Sequence, residues 1–440
     1  MPPTEPGRDA APAASDATDA DPSRPPAWWA LLGPGLVTGA ADDDPSGIAT
    51  YTQAGAQFGY ASAWTLLLTY PLMVGIQLAS ARIGRVTGHG LTETFARFCP
   101  RWLVFVLVGL LVVANVINLG ADLNAMGDAA ALVAGGSRLV DAALLGLVSL
   151  ALQVVLPYRR YAAVLKWLTL SLLAYVALAF AVHVDWPAAL RSTVMPTWHW
   201  DRDYVTTIVA IFGTTISPYL FFWQAAQEVE EIGRVRRDRP LRAAPAQAPA
   251  QMRRITIDTV IGMAFSNLVA WFMIVATAAT LHAQGVTKVE STTQAAAALK
   301  PLAGEFAFAL FGLGIVGTGL LALPVLAGSA AYAVASLFRW RKGLEQAPRQ
   351  APRYYGVIAA AIAIGIAMSA AGLDPIGTLY WAAVINAVIA VPVMVAVMLA
   401  ATRRVVMGRY TLGTGWRWAG WAATAAMAAA TLAMFATMLV

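Results

Sequence analysis

Long uncharged apolar runs recur along the chain from Trp28 to its last residue, separated by short segments rich in charge, Gly or Pro. Each run is long enough to cross a hydrocarbon core about 30 Å thick as a helix. Lipid-spanning runs in this number predict an all-α polytopic membrane protein. About eleven spans are expected, near residues 29–58, 62–81, 102–133, 139–157, 162–183, 204–227, 255–282, 303–336, 354–371, 376–401 and 416–439.

Two of these spans are interrupted. Span 1 starts on a Gly-Pro-Gly sequence and carries three consecutive acids before Pro45, and span 6 has a break of small polar residues and Pro between Phe212 and Tyr219. Pro and Gly break helices, and carboxylates at bilayer depth are costly unless they line a cavity or meet a cation. The breaks open consecutive five-span halves, residues 29–183 and 204–401, which is the sequence pattern of an inverted-repeat transporter.

The paired breaks predict a cation site between the two interrupted helices. A break frees backbone carbonyls at the negative end of a half-helix and brings them beside a carboxylate. Oxygen donors of this kind favour hard divalent ions such as Mg²⁺, Mn²⁺ or Ca²⁺. The candidate ligands are Asp42, Asp43, Asp44, Gly47, Thr215 and Ser217.

A surface role for the acids is the alternative. The three Asp residues could cap a helix at the membrane surface if span 1 started after them. The uncharged residues from Ala30 to Ala41 would then have no clear role. The interrupted-helix interpretation is therefore favoured.

Composition adds limits to this picture. Of the 440 residues, 59% are hydrophobic and 12% charged, and Cys99 is the only cysteine, which excludes an internal disulfide framework and a thiolate metal cluster. Residues 1–26 are rich in Ala, Pro, Asp and Ser and predict a disordered tail ahead of a single transporter domain over 27–440. The tail has no signal-peptide pattern, so the first span is expected to be retained.

The basic residues predict orientation. The formal charge of +6 does not indicate nucleic-acid binding, because 22 of the 30 Lys and Arg residues lie in alternate loops. Cytoplasmic loops hold such an excess, so the N-terminus is predicted to be cytoplasmic and the C-terminus outside, in the cell (inner) membrane. The Arg- and Pro-rich stretch at 234–251 predicts a flexible cytoplasmic loop.

Three stretches resemble the Nramp (natural resistance-associated macrophage protein) family of divalent-metal transporters. They are GPGLVTGAADDDPSGIATYTQAGAQFGY, PLMVGIQLASARIGRVTGHGL and SNLVAWFMIVATAATLH. The resemblance covers most of spans 1 to 7. It implies a leucine-transporter-type fold with eleven spans in a 5+5 inverted repeat, no resident cofactor, and a divalent metal ion and the lipid bilayer as partners.

This sequence departs from the family pattern at both breaks. The family's span 1 motif is DPGN; here Asp44 matches its Asp and Gly47 stands in place of its metal-binding Asn. The family's span 6 motif is MPH; here Ser217 replaces the Met, and Thr215 aligns with a carbonyl donor. Loss of the thioether weakens discrimination against Mg²⁺, so a site accepting Mg²⁺ and Mn²⁺ and poorly selective for Fe²⁺ is expected. These substitutions resemble an Nramp-related branch that carries Mg²⁺.

Coupling to protons is not expected. Tyr219 and Gln224 stand where the family has His residues, and Ala125 stands near the expected position of a second acid in span 3. Asp122 resembles the acid that the family retains there. Asp122 and Asp128 either form a polar path or join helices through hydrogen bonds.

Two other functions compete with a divalent-metal transporter. A sodium-coupled carrier of a small organic solute would use the same architecture, with Asp44 holding the coupling ion. An intramembrane enzyme would need a second catalytic acid facing Asp44, and the sequence contains no such paired motif. We therefore expect a transporter and not an enzyme.

Overall fold

The computed structural model describes residues 34–156, 173–234, 237–344 and 346–439, and its regular elements are all helical. The expected tail at 1–26 and residues 162–172 of the expected fifth span lie outside the described residues. The helices are α1 (Pro34–Asp42), α2 (Pro45–Phe58), α3 (Trp64–Thr87), α4 (Leu91–Phe95), α5 (Arg101–Ala134), α6 (Arg138–Val155), α7 (Leu173–Ala181), α8 (Trp186–Val194), α9 (Arg202–Thr215), α10 (Pro218–Arg234), α11 (Ala248–Thr280), α12 (Thr292–Ala297), α13 (Lys300–Ala303), α14 (Ala307–Leu337), α15 (Pro352–Ser369), α16 (Pro375–Thr402), α17 (Arg404–Met407) and α18 (Thr414–Leu439).

The expected membrane spans correspond to these helices. Within the described ranges, nine helical stretches are long and apolar enough to cross a membrane. Span 1 consists of the two shorter helices α1 and α2, and the described part of span 5 contains α7. The predicted all-α class is confirmed, and the predicted span boundaries differ from the helix ends by at most seven residues where both are defined.

Both predicted helix breaks are present. Span 1 is interrupted at Asp43 and Asp44, and span 6 at Ile216 and Ser217. Each second half-helix starts on a Pro, which lacks the N–H that the first turn leaves unpaired in any case. Asp44 is the N-cap of α2, and its carboxylate accepts a hydrogen bond from the Gly47 N–H. The break of span 1 is therefore built from local helix capping, and both breaks place Pro at the first position of the second half-helix.

Glycine allows α1 to pack backbone to backbone against α11. A Cβ added to Gly39 would lie 2.2 Å from the carbonyl oxygen of Gly262, and one added to Gly262 would lie 2.3 Å from that of Gly35. The buried Asp258 of α11 accepts hydrogen bonds from the N–H groups of Gly35 (2.7 Å) and Leu36 (3.0 Å). Short helix α1 is thus held at its N-terminus and along one face.

The matching half-helix of span 6 packs equally closely on α16. A Cβ added to Gly213 of α9 would lie 1.9 Å from the carbonyl oxygen of Ala383. The hydroxyls of Thr207 and Tyr380 join the same two helices at 2.8 Å. The first half of span 1 is therefore covered by span 7 of the other five-span half, and the first half of span 6 by span 10 of its own half.

The loop between spans 6 and 7 is expected to be flexible, but the residues that the structure describes there contact the end of α3. Asp238 forms an ion pair with Arg85, whose side chain is fully buried at the end of α3. The N–H groups of Leu241 and Arg242 donate to the carbonyls of Arg85 and Val86. These contacts hold the loop against α3. Asp238 supplies the carboxylate partner that the buried guanidinium of Arg85 requires. We call the end of the molecule where residues 237–247 meet α3 the basic face, because most of the Arg-rich loops lie at that end in the predicted topology.

Candidate functional site

Asp44 lies in the break of span 1 and contacts three spans. Its Oδ1 atom accepts hydrogen bonds from the Ser46 hydroxyl (2.6 Å) and the Gly47 N–H (2.9 Å), both in the first turn of α2. Its Oδ2 atom accepts from the Asn118 amide (3.0 Å) in α5 and the Tyr219 hydroxyl (3.1 Å) in α10. The side chain is 1% exposed. This carboxylate is therefore fixed at the meeting point of spans 1, 3 and 6.

The two breaks adjoin each other. The Tyr219 hydroxyl, two residues beyond Ser217, lies within hydrogen-bonding distance of both Asp44 and the Ala41 carbonyl (3.2 Å) at the end of α1. On the other side, a Cβ added to Gly47 would lie 3.3 Å from the Thr214 hydroxyl. The predicted pairing of the two interruptions is thus present as direct contacts.

The predicted span 6 ligands donate to their own helix. The Ser217 hydroxyl donates to the carbonyls of Gly213 (2.7 Å) and Thr214 (3.0 Å), and the Thr215 hydroxyl donates to Ile211 (2.8 Å). These hydroxyls use their protons on backbone oxygens and keep their lone pairs. Both side chains are buried. They can therefore act only as oxygen acceptors toward a third group while these bonds persist.

Asp42 and Asp43 turn toward span 7. The Ser266 hydroxyl of α11 lies 2.7 Å from Asp42 Oδ2 and 3.1 Å from Asp43 Oδ1. Asp44 instead contacts spans 3 and 6. Over the described residues, no three His, Cys, Asp or Glu side chains converge as a metal-binding group. A cation beside Asp44 would consequently take most of its ligands from amide, hydroxyl and carbonyl oxygens.

Asp122 extends the polar centre along span 3. Its Oδ2 atom lies 3.4 Å from the same Asn118 amide nitrogen that donates to Asp44. The side-chain oxygen of Asn118 accepts a hydrogen bond from the side-chain amide of Asn386 (3.2 Å) in α16. All three side chains are buried. Asn118, Asn386 and Ser266 were not predicted; the only signal for them is a lone amide or hydroxyl within an apolar run.

Gln224 lies nearer the basic face. The Thr38 hydroxyl of α1 donates to the Gln224 side-chain oxygen at 2.5 Å. Gln224 therefore joins the first half of span 1 to the second half of span 6, and its described hydrogen bond is to Thr38 and not to Asp44. It belongs to the contacts that hold α1 in place.

The charge at this centre has no basic side chain as a counterpart within the described residues. None of the ion pairs there includes Asp42, Asp43, Asp44 or Asp122. Asp42 Oδ1, Asp43 Oδ2 and Asp122 Oδ1 are buried without a hydrogen-bond donor. Burying ionised carboxylates without compensation is costly, so this centre is suited to a positive ion.

Comparison with known proteins gives a consistent result. A family model described as natural resistance-associated macrophage protein-like (Nramp) matches residues 35–437. The chain is 30% identical over 299 residues to the divalent metal cation transporter MntH of Klebsiella pneumoniae, covering 66% of this chain and 68% of that protein. It is 27% identical over 300 residues to the protein of the same name from Aeromonas hydrophila, covering 66% and 69%.

Solved structures with the same fold include two kinds of transporter. A crystal structure of a mutant manganese transporter from Eremococcus coleocola matches with a TM-score of 0.71 at 17% identity, covering 92% of this chain and 86% of that chain. A nucleobase-cation-symport-1 family transporter matches with a TM-score of 0.53 at 13% identity, covering 95% and 96%. At these identities the likeness concerns the fold alone.

Proposed function

Because the chain belongs to the Nramp family, whose members are membrane transporters and not enzymes, we propose that it carries divalent metal cations through the centre around Asp44. One observation carries the proposal: a buried carboxylate lies between the two broken spans, contacts both, and has no basic partner among the described residues. The related MntH proteins are named as divalent metal cation transporters, which supports this choice of cargo.

The transported ions are Mg²⁺ and Mn²⁺, with weak discrimination between them. Ser217 offers a hard hydroxyl oxygen where the family has a thioether, and soft sulfur ligands favour the later transition metals. A Cβ added to Gly47 would lie 3.3 Å from the Thr214 hydroxyl, 3.3 Å from the Tyr51 ring and 3.4 Å from the Asp42 carbonyl oxygen, so oxygen atoms adjoin the position of the family's Asn. Oxygens of this kind are suited to bind water that stays on the ion, as Mg²⁺ prefers.

Transport proceeds by alternating access. The tight packing of α1 on α11 and of α9 on α16 supports a site closed from both sides, and release requires one of these contacts to open. The basic face is cytoplasmic, the C-terminus lies outside, and the membrane is the cell membrane, in keeping with the Arg and Lys distribution. Opening at α1 would then release the ion into the cytoplasm.

Metal movement is not coupled to protons. Tyr219 and Gln224 replace residues that titrate near neutral pH, and each is used in a structural hydrogen bond to span 1. In liposomes that contain the purified protein, Mn²⁺ entry should proceed without acidification of the interior. Proton flux in proportion to metal flux would contradict this part of the proposal.

Calorimetric titration of the purified protein with Mg²⁺, Mn²⁺, Ca²⁺ and Fe²⁺ tests the cargo. We expect binding of Mg²⁺ and Mn²⁺ with affinities within about tenfold of each other, since both ions accept oxygen ligands. Competition by Mg²⁺ for Mn²⁺ uptake into liposomes should follow. A strong preference for Fe²⁺ with no competition by Mg²⁺ would contradict the proposal, and stabilisation only by Na⁺ with an organic solute would favour the sodium-coupled alternative.

The exchange Ser217→Met should restore discrimination against Mg²⁺. A thioether at this position replaces a hard donor with a soft one, so we expect Mn²⁺ binding to be retained and Mg²⁺ binding to fall by about tenfold or more. The ratio of Mg²⁺ to Mn²⁺ affinities, measured by titration, is the readout. Ser266→Met is unsuitable as a control because Ser266 contacts two carboxylates; Ser329→Met, on a hydroxyl in α14 that bonds Asn115 and Leu326, should leave the ratio unchanged.

A further inference from the structure

The amide nitrogen of Asn118 lies between two carboxylates from different spans. It is 3.0 Å from Asp44 Oδ2 and 3.4 Å from Asp122 Oδ2. This nitrogen carries partial positive charge and two protons, and it is the donor that links the two acids within the described contacts. A cation bound beside this amide could therefore contact both carboxylates.

The oxygen of the same amide faces a second amide. Asn118 Oδ1 accepts from Asn386 Nδ2, and Asn386 Oδ1 is buried with no hydrogen-bond donor. If both side-chain amides rotate by 180°, Asn118 Nδ2 donates to Asn386 Oδ1. The two side chains then stay hydrogen-bonded, with donor and acceptor exchanged. The rotation then turns Asn118 Oδ1 toward Asp44 and Asp122, where a bound cation would replace the two hydrogen bonds that the amide donates there.

We propose that Asn118 is a reversible ligand, which donates to Asp44 and Asp122 without an ion and presents its carbonyl oxygen to a divalent cation bridging them. This rests on the proposed function and deepens it by naming Asp122 and Asn118 as ligands from span 3. Carboxylate and amide oxygens are the donors that Mg²⁺ and Mn²⁺ accept. Neighbouring oxygens around an octahedral ion with bonds of about 2.1 Å lie roughly 3 Å apart. The present separations between the Asn118 amide and the two carboxylates, 3.0 and 3.4 Å, are close to that spacing.

Ion binding would change contacts in three spans. The cation would join span 1 through Asp44 and span 3 through Asp122. The hydrogen bond between Asn118 and Asn386 of span 10 would reverse its direction. Span 10 is also the helix that covers α9. The amide pair therefore connects occupancy of the site to a helix that closes it.

A simpler role for Asn118 predicts the opposite result for one substitution. If Asn118 only donates to Asp44, Asn118→Asp removes the donor and adds a like charge, so metal affinity falls. If its oxygen is a ligand, Asn118→Asp supplies a stronger oxygen ligand and metal affinity is kept or rises. The leucine variant Asn118→Leu removes both the donor and the oxygen of the amide, and the proposal expects it to weaken Mg²⁺ and Mn²⁺ binding by about tenfold or more.

The test is titration of the full-length protein with Mg²⁺ and Mn²⁺, together with the thermal shift that saturating Mn²⁺ causes. We expect a larger Mn²⁺-induced shift for Asn118→Asp than for the unaltered protein, and a loss of about tenfold or more in affinity for Asp122→Asn. The matched controls are Asn115→Asp and Asn115→Leu. Asn115 is a buried amide one turn earlier in α5 that donates to the Leu326 carbonyl and Ser329, outside this centre; its variants should keep the metal affinity.

Two outcomes would overturn the inference. One is that Asn118→Asp weakens binding as much as Asn118→Leu does. The other is a Mn²⁺-soaked crystal structure whose anomalous peak contacts Asp44 and no oxygen of Asn118 or Asp122, a readout that does not depend on any variant folding. Absence of all Mg²⁺ and Mn²⁺ binding in the unaltered protein would instead refute the proposed function itself.

Discussion

Asp44→Ala will reduce Mn²⁺ and Mg²⁺ uptake into liposomes to background, a fall of at least about a hundredfold. Asp44 is the carboxylate that contacts both helix breaks, and each of its oxygens accepts two hydrogen bonds. Its removal takes away the principal negative ligand, whose attraction for a divalent ion is strong in a water-poor interior. The thermal stabilisation that Mn²⁺ gives the purified protein should vanish in parallel.

Asp128→Ala is the matched control for this experiment. Asp128 is an acid of span 3 that is only partly buried, and the hydrogen bonds that surround Asp44 do not include it. Its variant should take up Mn²⁺ like the unaltered protein. Asp44→Asn, which keeps the side-chain shape and removes the charge, should be as inactive as the Ala variant. Retained metal-dependent stabilisation in both Asp44 variants would place the ion elsewhere.

Gly39→Val should also reduce transport, through helix packing and not through loss of a ligand. An added Cβ at this position lies 2.2 Å from the Gly262 carbonyl oxygen, and a backbone atom cannot move aside as a flexible side chain can. The larger residue prevents α1 from lying on α11, so we expect the basic face to stay open and uptake to fall by about tenfold or more. Metal affinity should change less than uptake, because Asp44 and its donors remain in place.

Cysteine labelling measures the opening directly. Cys99 can be replaced by Ser, after which Thr259→Cys reports on the buried face of α11, since the backbone nitrogen of Thr259 lies against Gly35. We expect rapid labelling by a water-soluble thiol reagent only when Gly39→Val is also present. Gly109→Val is the control, because nothing lies within 4 Å of a Cβ added there. Unchanged labelling with Gly39→Val would show that α1 still closes.

The sequence predicts the spans and both breaks because these depend on local composition. Apolar runs set the helices, and Pro45 and Pro218 mark where each second half-helix starts. Asp44 is a candidate ligand for the same reason, as an acid next to a helix-breaking residue deep in a span. These features need no knowledge of which helices meet.

The remaining ligand environment depends on contacts between distant segments. Asn118 and Asn386 are 268 residues apart in sequence, and Ser266 is 224 residues from Asp42. Asp42, Asp43 and Asp44 are all candidate ligands by their adjacency in the sequence, but successive residues of a helix point about 100° apart. The structure divides them between span 7 and spans 3 and 6, which their adjacency in the sequence does not indicate.

The loop at 237–247 illustrates the same limit. Its composition of Arg, Pro and Ala favours a flexible segment, and a composition argument has no access to the buried Arg85 on another helix. The single acid Asp238 decides the outcome, since it supplies the partner that this guanidinium needs.

In the proposed alternating access, the short helix α1 would turn as a rigid unit about the break in span 1. Its nine residues extend about 13 Å from the break to its N-terminus. With the pivot beside Asp44, a turn of about 25° would carry the far end through roughly 6 Å, the breadth of a cation with its inner waters. Asp258 binds the backbone at that far end, where a given force has the greatest turning moment. If α1 opens as proposed, a displacement of an ångström or two beside the ion would become several times larger at the cytoplasmic end of the helix.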